Sequence, residues 1–241
     1  MKKTINQNSL FYKFYLYYNL YIHHNCLKKR KHYSQSGEDV FIVEYFKNRD
    51  LGFYVDIGCF HPIMYSNTAA LYSNGWSGIN IDMNKTSIDL FNIIRKKDKN
   101  FCVALSNTQE NREGYIDHFF SPINSLNKEF SNYASKNISN RDHKTINLTT
   151  YTFEKFIESK NINVPNIDLL NIDVETFDFQ VLEGFNLNKF KPELICIEML
   201  NSKGDLQQDK YEAYLSKFNY SMINKIGLNG FFELQKKKIN L

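Results

Sequence analysis

Apolar runs of strand length alternate along this chain with segments of helical periodicity. The first run, Phe53–Ile57, contains a single acid and is typical of a parallel strand that helices cover on both faces. Further strands are predicted at 75–82, 101–105, 146–149, 167–175 and 194–199, and a closing hairpin at 220–224 and 230–234. The alternation predicts an α/β fold: a mostly parallel central sheet of about seven strands, helices on both faces and an antiparallel pair at the end.

A glycine turn follows the first predicted strand. Gly58 ends that strand, and a helix is predicted through 69–72. Strand, glycine turn and helix together form the nucleotide-holding corner of a doubly wound sheet, because glycine allows a tight turn and the close approach of a ligand. Since only one glycine of G-x-G-x-x-G is present, the pattern is not that of dinucleotide enzymes. Asp56, two residues before Gly58, favours S-adenosylmethionine instead, because an acid can neutralise the ammonium group of that donor, directly or through water. Its alternative role is to hold the glycine loop.

Other polar residues at predicted strand and helix ends suit the same donor. Asp82 ends the second predicted strand, roughly 20 residues beyond the glycine turn, where nucleotide-binding folds place a ribose-binding carboxylate. Its alternative role is a surface acid or a helix cap. Ser106, at the tip of the third predicted strand, is expected near the adenine. Three side chains at a helix N-terminus suit the donor's carboxylate, unless they only cap the helix: Ser66, Asn67 and Thr68.

Methyl transfer to a hydroxyl also needs a group near the donor that accepts the hydroxyl proton. Asp173 and Glu175 end the fourth main strand, and their side chains share a face while the strand lasts, so either could accept this proton. Their alternative role is a structural hydrogen bond to the 35–39 segment. His61 follows the glycine turn and titrates near neutral pH, although it could instead anchor the loop. With Asp178, the two acids offer oxygen ligands for Mg²⁺. Because no histidine cluster or loop motif accompanies them, we expect no metal.

Composition narrows the function classes. The chain has 241 residues, which suits one domain with an appendage, and 42% hydrophobic residues suffice for a core. A net charge of +4 is mild, and no nucleic-acid-binding motif is present, so we expect no nucleic-acid partner. The four cysteines lie far apart without a C-x-x-C pair. They indicate reduced thiols and a cytoplasmic protein.

Two segments are predicted to lie outside the central fold. Residues 1–32 form an aromatic, helical appendage with a basic run at 28–31, attached to a domain over 33–241. The appendage lacks the length of a membrane span and the cleavage site of a secretory signal. It suits either peripheral membrane contact through residues 10–31 or packing on the domain or a partner subunit. Residues 108–145 are polar, and such an insertion either covers the acceptor site or is an uninvolved surface excursion.

Several ordered motifs resemble those of FkbM-type methyltransferases. They are Tyr33-Ser34-Gln35-x-Gly37-Glu38-Asp39, Val55-Asp56-Ile57-Gly58-x-x-His61-Pro62, Ser66-Asn67-Thr68, Gly75-Trp76-x-Gly78-Ile79-Asn80-Ile81-Asp82 and Ile167-Asp168-x-Leu170-x-Ile172-Asp173-Val174-Glu175. The resemblance runs from about residue 33 to the C-terminus. It implies a Rossmann-like class I fold that uses S-adenosylmethionine, usually for O-methylation, with sugars and secondary metabolites among the acceptors. Only this resemblance, and no local pattern of the chain, places Gln35 near the cofactor site.

Two positions depart from this resemblance. Asp178 stands where the family commonly has a second Glu. The family usually has a glycine where this chain has Thr176. Because a β-branched residue disfavours positive φ, we expect a different turn after Glu175.

The favoured function is therefore an S-adenosylmethionine-dependent O-methyltransferase that acts on a hydroxyl of a small molecule, sugar or glycan by in-line transfer. One alternative is another α/β enzyme that uses a nucleotide sugar, such as a glycosyltransferase. Such enzymes usually carry an Asp-x-Asp metal motif, which is missing from the chain. The second alternative is a catalytically silent nucleotide-binding or scaffold protein that keeps the fold.

Overall fold

A computed structural model describes residues 6–28 and 30–235 of the chain. Its strands are β1 (Phe53–Ile57), β2 (Ser77–Asp82), β3 (Lys99–Cys102), β4 (Ala104–Leu105), β5 (Asn111–Ile116), β6 (Lys144–Tyr151), β7 (Leu169–Ile172), β8 (Leu194–Glu198), β9 (Tyr220–Ile226) and β10 (Asn229–Leu234). Its α-helices are α1 (Leu10–Tyr17), α2 (Glu38–Tyr45), α3 (Ala69–Ser73), α4 (Lys85–Ile94), α5 (Lys128–Ala134), α6 (Phe153–Ser159), α7 (Asp178–Glu183), α8 (Leu187–Phe190) and α9 (Gln208–Leu215). Shorter helical turns of other types are Tyr18–His23, Ser135–Ser139 and Ser216–Phe218.

The central sheet has seven strands in the order β3-β2-β1-β7-β8-β10-β9. The first five are parallel, and β10 lies antiparallel between β8 and β9. The mostly parallel sheet with a closing hairpin is therefore confirmed. Strands β2 and β3 are added successively on one side of β1, whereas β7 and β8 are added on its other side. This change in strand order creates a topological switch point, where ligands bind at the carboxyl ends of the strands.

Helices cover both faces of the sheet, as the apolar character of β1 predicts. Val55 points into a core that includes Phe153 of α6. Its neighbour Tyr54 points into the opposite core, which includes Ile42 of α2 and Trp76. Because successive strand residues alternate between faces, a strand with two covered faces needs apolar residues at nearly every position. Asp56, buried in this strand, is the exception.

The third predicted strand and the 108–145 segment differ from prediction. The run at 101–105 is divided: β3 ends at Cys102, and β4 leaves the central sheet to pair with β6. The 108–145 segment contains α5 and β5, and β5 pairs antiparallel with β6. Most residues of β6 are solvent-exposed. Polar, exposed strands lack the apolar alternation from which strands are predicted.

The N-terminal helix packs on the domain. The Tyr12 hydroxyl of α1 donates to Asp89 Oδ2 of α4 at 2.8 Å and lies 3.2 Å from the Thr86 hydroxyl oxygen. Leu16 and Leu20 are buried in the same cluster as Leu90. Of the two interpretations of the appendage, packing on the domain therefore describes its inner face. No helix within 6–28 and 30–235 has the length and hydropathy to cross a bilayer.

Candidate active site

A cleft lies at the carboxyl ends of β1, β2 and β7. This edge of a parallel sheet, at a topological switch point, is where α/β folds bind their ligands. Five of the predicted site residues line it: Gln35, Gly58, Asp82, Asp173 and Glu175. The structure thus brings together residues that are far apart in sequence, because the carboxyl ends of parallel strands meet at one edge of the sheet.

Gly58 makes the turn at the end of β1. Its φ is +81°, and its N–H donates to the carbonyl of Ile81 at 2.8 Å. A Cβ at this position would lie 1.7 Å from the carbonyl oxygen of Asp173. Both the backbone conformation and the close approach therefore require glycine.

Asp82 lies at the end of β2, on the wall of the cleft. Its two carboxylate oxygens accept hydrogen bonds from the backbone N–H groups of Phe60 and Asn84, at 2.9 Å and 2.7 Å. Burial raises the pKa of this carboxyl to about 6, against the lowering effect of the two N–H donors. Each oxygen keeps a second lone pair, so the carboxylate can still accept from the vicinal hydroxyls of a ribose.

Asp56 does not line the cleft, which corrects its placement beside the donor's ammonium group. It is 2% exposed. The Thr68 hydroxyl donates to Asp56 Oδ2 at 2.6 Å, and Asn171 Nδ2 donates to Oδ1 at 2.8 Å. The side chain instead ties β1 to β7 and to the segment before α3. This is the alternative expected for Asp56, in which it holds the glycine loop.

The three polar residues before α3 also point away from the cleft. Ser66 and Thr68 are acceptors for Arg95, and Asn67 Nδ2 donates to Asn171 Oδ1 at 2.9 Å. Although Thr68 is the N-cap residue of α3, its side chain makes no capping hydrogen bond. A buried polar network therefore uses the hydrogen-bonding groups of these three residues. They are not placed to bind the donor's carboxylate, and they are not simple helix caps.

Arg95 is the centre of that network and was missed by sequence reasoning. Its side chain is 1% exposed. One terminal nitrogen donates to the Thr68 hydroxyl at 2.8 Å, and the other donates to the carbonyl of Pro62 at 2.7 Å. The carboxylate of Asp98 lies 4.0 Å away and supplies the opposite charge. A buried guanidinium of this kind fixes the loop between β1 and α3, which in turn forms one end of the cleft.

His61 is likewise outside the cleft. The backbone N–H groups of Ile63 and Met64 donate to its Nδ1 at 3.1 Å and 2.9 Å, which leaves Nε2 to donate to Asn19 Oδ1 at 2.8 Å. Burial, followed by the nearby His24 and arginines, holds the pKa of His61 well below its usual range. Both ring nitrogens are therefore occupied, and His61 anchors the loop rather than serving as the expected base.

Ser106 is also displaced from its predicted role. It is 1% exposed, and its hydroxyl donates to Asn107 Oδ1 at 3.2 Å. The cleft is lined instead by the three residues before it, Val103, Ala104 and Leu105. The chain therefore lines the cleft immediately before Ser106, where Val103 follows β3 and the next two residues form β4.

Asp173 and Glu175 line the cleft and form what we call its acidic wall. Asp173 also belongs to a partly buried acidic cluster behind that wall. One carboxylate oxygen each from Asp173, Asp178 and Glu198 lies within 4.8 Å of the other two. Asp178 Oδ2 and Glu198 Oε2 have no hydrogen-bond partner. Burial, reinforced by the neighbouring acids, raises the pKa of Asp173 to about 7. It also raises the pKa values of Glu175, Asp178 and Glu198.

Such a cluster must carry protons or hold a cation at neutral pH, because several adjacent carboxylates cannot all ionise in a dry site. The trio could supply oxygen ligands to a divalent ion, with Glu198 in place of the Glu175 expected from the sequence. At neutral pH, Asp173 itself is poised to gain or lose a proton at the edge of the cleft.

The turn after Asp173 differs from its prediction. β7 ends at Ile172, so Asp173 and Glu175 do not share a strand face. Glu175 and Thr176 have φ values of +56° and +68°. Thr176 therefore keeps the left-handed conformation that a glycine would adopt, contrary to the expectation of a different turn.

The 108–145 segment holds this turn in place. The Ser125 hydroxyl donates to the carbonyl of Glu175 at 2.8 Å, and Asn127 Nδ2 donates to the Thr176 hydroxyl at 3.0 Å. Residues of the same segment also line the cleft: Ser121, Pro122, Asn124, Ser125 and Leu126. This connection between the segment and the acidic wall was not visible in the sequence, since it joins loops 50 residues apart.

The mostly parallel sheet, with a cleft at its switch point, has the architecture of a Rossmann-like enzyme and is consistent with that of methyltransferases. The family model of the methyltransferase FkbM domain matches residues 50–222. Because this match covers more than half of the chain, the chain belongs to the FkbM methyltransferase family. No protein of curated function matches the chain.

Proposed function

We propose that this chain is an S-adenosylmethionine-dependent O-methyltransferase that acts on a hydroxyl of a small molecule, a sugar or a glycan. The observation that carries the proposal is the cleft at the ends of β1, β2 and β7, which Asp82, Asp173 and Glu175 line together. When bound, the donor supplies an electrophilic methyl group on a positively charged sulfur.

The walls of the cleft suit this donor. Asp82 would accept hydrogen bonds from the ribose hydroxyls, and the apolar side chains of Ile81, Val103 and Leu105 would contact the adenine. Because Asp56 is enclosed, Asp173 and Glu175 are the acids available to face the donor's two positive charges. Gly58 allows the backbone to lie close to the ligand.

Asp173 is the proposed acceptor of the hydroxyl proton. It lies at the cleft, and burial raises its pKa to about 7, which matches a general base that works near neutral pH. The proton would pass from the acceptor hydroxyl to a carboxylate oxygen of Asp173 as the oxygen attacks the methyl group. Glu175 would orient the hydroxyl from the neighbouring turn.

The 108–145 segment is proposed to bind the acceptor. Ser121 and Asn124 line the cleft. The Ser121 hydroxyl, and the lone pair of Asn124 Oδ1 that does not accept from the Asp117 N–H, would form hydrogen bonds to a polyhydroxylated molecule. The segment also fixes the turn that carries Glu175. Acceptor binding and the position of the acids are therefore linked through the same loop.

The proposal is tested by transfer of a labelled methyl group from S-adenosylmethionine to a panel of sugars and phenolic or aliphatic alcohols. We expect label in an ether product and S-adenosylhomocysteine in equal amount. Asp173→Asn should lower turnover by about a hundredfold while donor binding persists. Donor binding without transfer to any acceptor would favour a silent binding protein, and failure to bind the donor would contradict the proposal.

A further inference from the structure

The outward side of the N-terminal helix carries an apolar surface, which we call the outer aromatic face. Its exposed residues are Leu10, Phe11, Phe14, Tyr17, Tyr18, Tyr21, Ile22 and Leu27. Phe11 is 83% exposed and Ile22 is 70% exposed. The opposite side of the same helix is buried through Tyr12, Leu16 and Leu20. A helix that is apolar on all sides is normally covered on all sides, so the outer aromatic face indicates a second contact surface.

Positive charge surrounds this face. Lys13, Lys28, Arg30 and Lys31 are exposed, and the first acidic residue of the chain is Glu38. The whole chain has 30 basic and 26 acidic residues, so an acid-free stretch of this length concentrates its excess of positive charge. An apolar face on an acid-free segment with exposed cations matches a partner that is apolar inside and anionic at its surface.

We propose that the outer aromatic face binds the surface of an anionic lipid bilayer. The phenylalanine and aliphatic side chains would enter the boundary between headgroups and acyl chains, and the tyrosine hydroxyls would remain among the headgroups. The exposed lysines and Arg30 would lie against lipid phosphates and carboxylates. The helix would lie in the plane of the membrane, with its inner side still packed on α4.

Charge argues against a second copy of this chain as the occupant. A two-fold symmetric dimer through this face would bring the same surface of each copy together. Lys13 and the basic residues at 28, 30 and 31 would then be brought together with those of the second copy, and the segment that carries them has no acid to offset the repulsion. Asp89, which contacts the inner side of the helix, is already paired with Lys85.

The bound membrane would lie near the cleft. The ring of Tyr15 packs on Phe120 with centroids 6.4 Å apart, and Phe120 stacks on Phe60 at 4.9 Å. Phe60 lines the cleft. Membrane binding itself does not rest on the proposed function, because it can be measured without donor or acceptor.

The apolar part of the inference is tested by co-sedimentation of the full chain with vesicles of phosphatidylcholine alone or mixed with phosphatidylglycerol. We expect binding to the mixed vesicles, and Phe11→Ser with Phe14→Ser should weaken it by about tenfold or more, because both rings lose their place in the lipid. Leu51→Ser with Ile138→Ser removes two apolar residues that are equally exposed elsewhere, and should leave binding unchanged.

The electrostatic part is tested by charge reversal. Lys28→Glu with Lys31→Glu should weaken binding to the mixed vesicles by about tenfold or more, and added salt should weaken binding of the unchanged protein. Lys160→Glu with Lys203→Glu makes the same change in net charge at other exposed sites, and should have little effect. Circular dichroism establishes that each variant is folded before its binding is compared.

Three results would overturn the inference. They are absence of binding to the mixed vesicles, equal binding to phosphatidylcholine alone, and equal losses in the outer-face variants and their controls. Sedimentation showing a dimer that Phe11→Ser with Phe14→Ser converts to monomer would assign the face to a second copy instead.

Discussion

The Cα of Gly58 lies directly against the main-chain carbonyl of Asp173, so that a Cβ on Gly58 would be 1.7 Å from that oxygen. This contact joins the turn after β1 to the residue that follows β7. It explains why the two walls of the cleft come so close together, and why a side chain at position 58 cannot be accommodated.

Gly58→Ala should therefore be strongly destabilising. The Cβ would meet backbone atoms, which cannot move as a flexible side chain can, and we expect the free energy of unfolding to fall by about 3 kcal/mol or more. Gly204→Ala is the matched control, because Gly204 has a similar φ of +84° but open space around it. Chemical denaturation of both variants measures the difference. Equal losses would mean that backbone strain alone, and not the contact with Asp173, requires glycine.

A second prediction concerns Thr176, which has a φ of +68°. Its hydroxyl accepts a hydrogen bond from Asn127, which offsets the strain of a β-branched residue in this conformation. Thr176→Gly removes both the strain and the bond, so we expect a free energy of unfolding within about 1 kcal/mol of the original.

Thr176→Val is the comparison for this prediction. It keeps the β-branch and loses the hydrogen bond, and should lower the free energy of unfolding by about 1–2 kcal/mol. Since both variants lack the hydroxyl, their difference measures the backbone strain at this position. A glycine variant less stable than the valine variant would contradict that strain.

A third prediction follows from the raised pKa of Asp173. In the folded chain the carboxyl has a pKa of about 7 and keeps its proton up to that pH, whereas in the unfolded chain it loses the proton near the ordinary aspartate pKa of 3.8. The stability that this proton contributes is present at low pH and is lost as pH rises through that window. Asparagine at position 173 has no proton to lose. The free energy of unfolding of Asp173→Asn, relative to that of the original protein, should therefore increase by about 1–3 kcal/mol from about pH 5 to about pH 8.

Thermal and chemical unfolding at several pH values measures this difference, and repeating it with Mg²⁺ and with a chelator tests for a cation. If Mg²⁺ removes the pH dependence, a cation rather than a proton neutralises the acidic cluster. A difference that shrinks with rising pH would contradict the raised pKa.

A fourth prediction distinguishes a structural from a catalytic His61. Its Nδ1 accepts from two backbone N–H groups, so His61→Ala should lower the free energy of unfolding by about 2–4 kcal/mol. Because the folded pKa lies well below the usual value, this stabilisation is present above about pH 6.5 and decreases as pH falls below it. The exposed His32→Ala serves as control. Unchanged stability with lost turnover would return His61 to the catalytic candidates.

The strand ends were the part of the site that the sequence could predict. Gly58, Asp82 and Asp173 follow three apolar runs, and parallel strands bring their carboxyl ends to one edge of the sheet. Which way a side chain points at such an edge was harder to predict. Asp56 pairs in register with Asn171 of β7, whose amide donates to it and keeps it inside the sheet. That neighbour depends on strand order, which the local pattern does not contain.

Arg95 shows a second limit of the sequence. It begins a basic run, 95–97, that reads as the solvated end of a helix. In the structure its guanidinium is buried because the distant carbonyl of Pro62 and two hydroxyls accept its hydrogen bonds. A buried arginine is recognisable only when these acceptors are known, since its own local sequence resembles that of an exposed one.

Calorimetric titration of S-adenosylmethionine into the purified chain tests the central claim most directly. We expect one donor per chain, and we expect Asp82→Asn to weaken binding by about 1.5–3 kcal/mol, while the exposed Asp50→Asn leaves it unchanged. Absence of binding to the unchanged chain, or equal affinity of the Asp82→Asn variant, would contradict a donor held over the ends of β1 and β2.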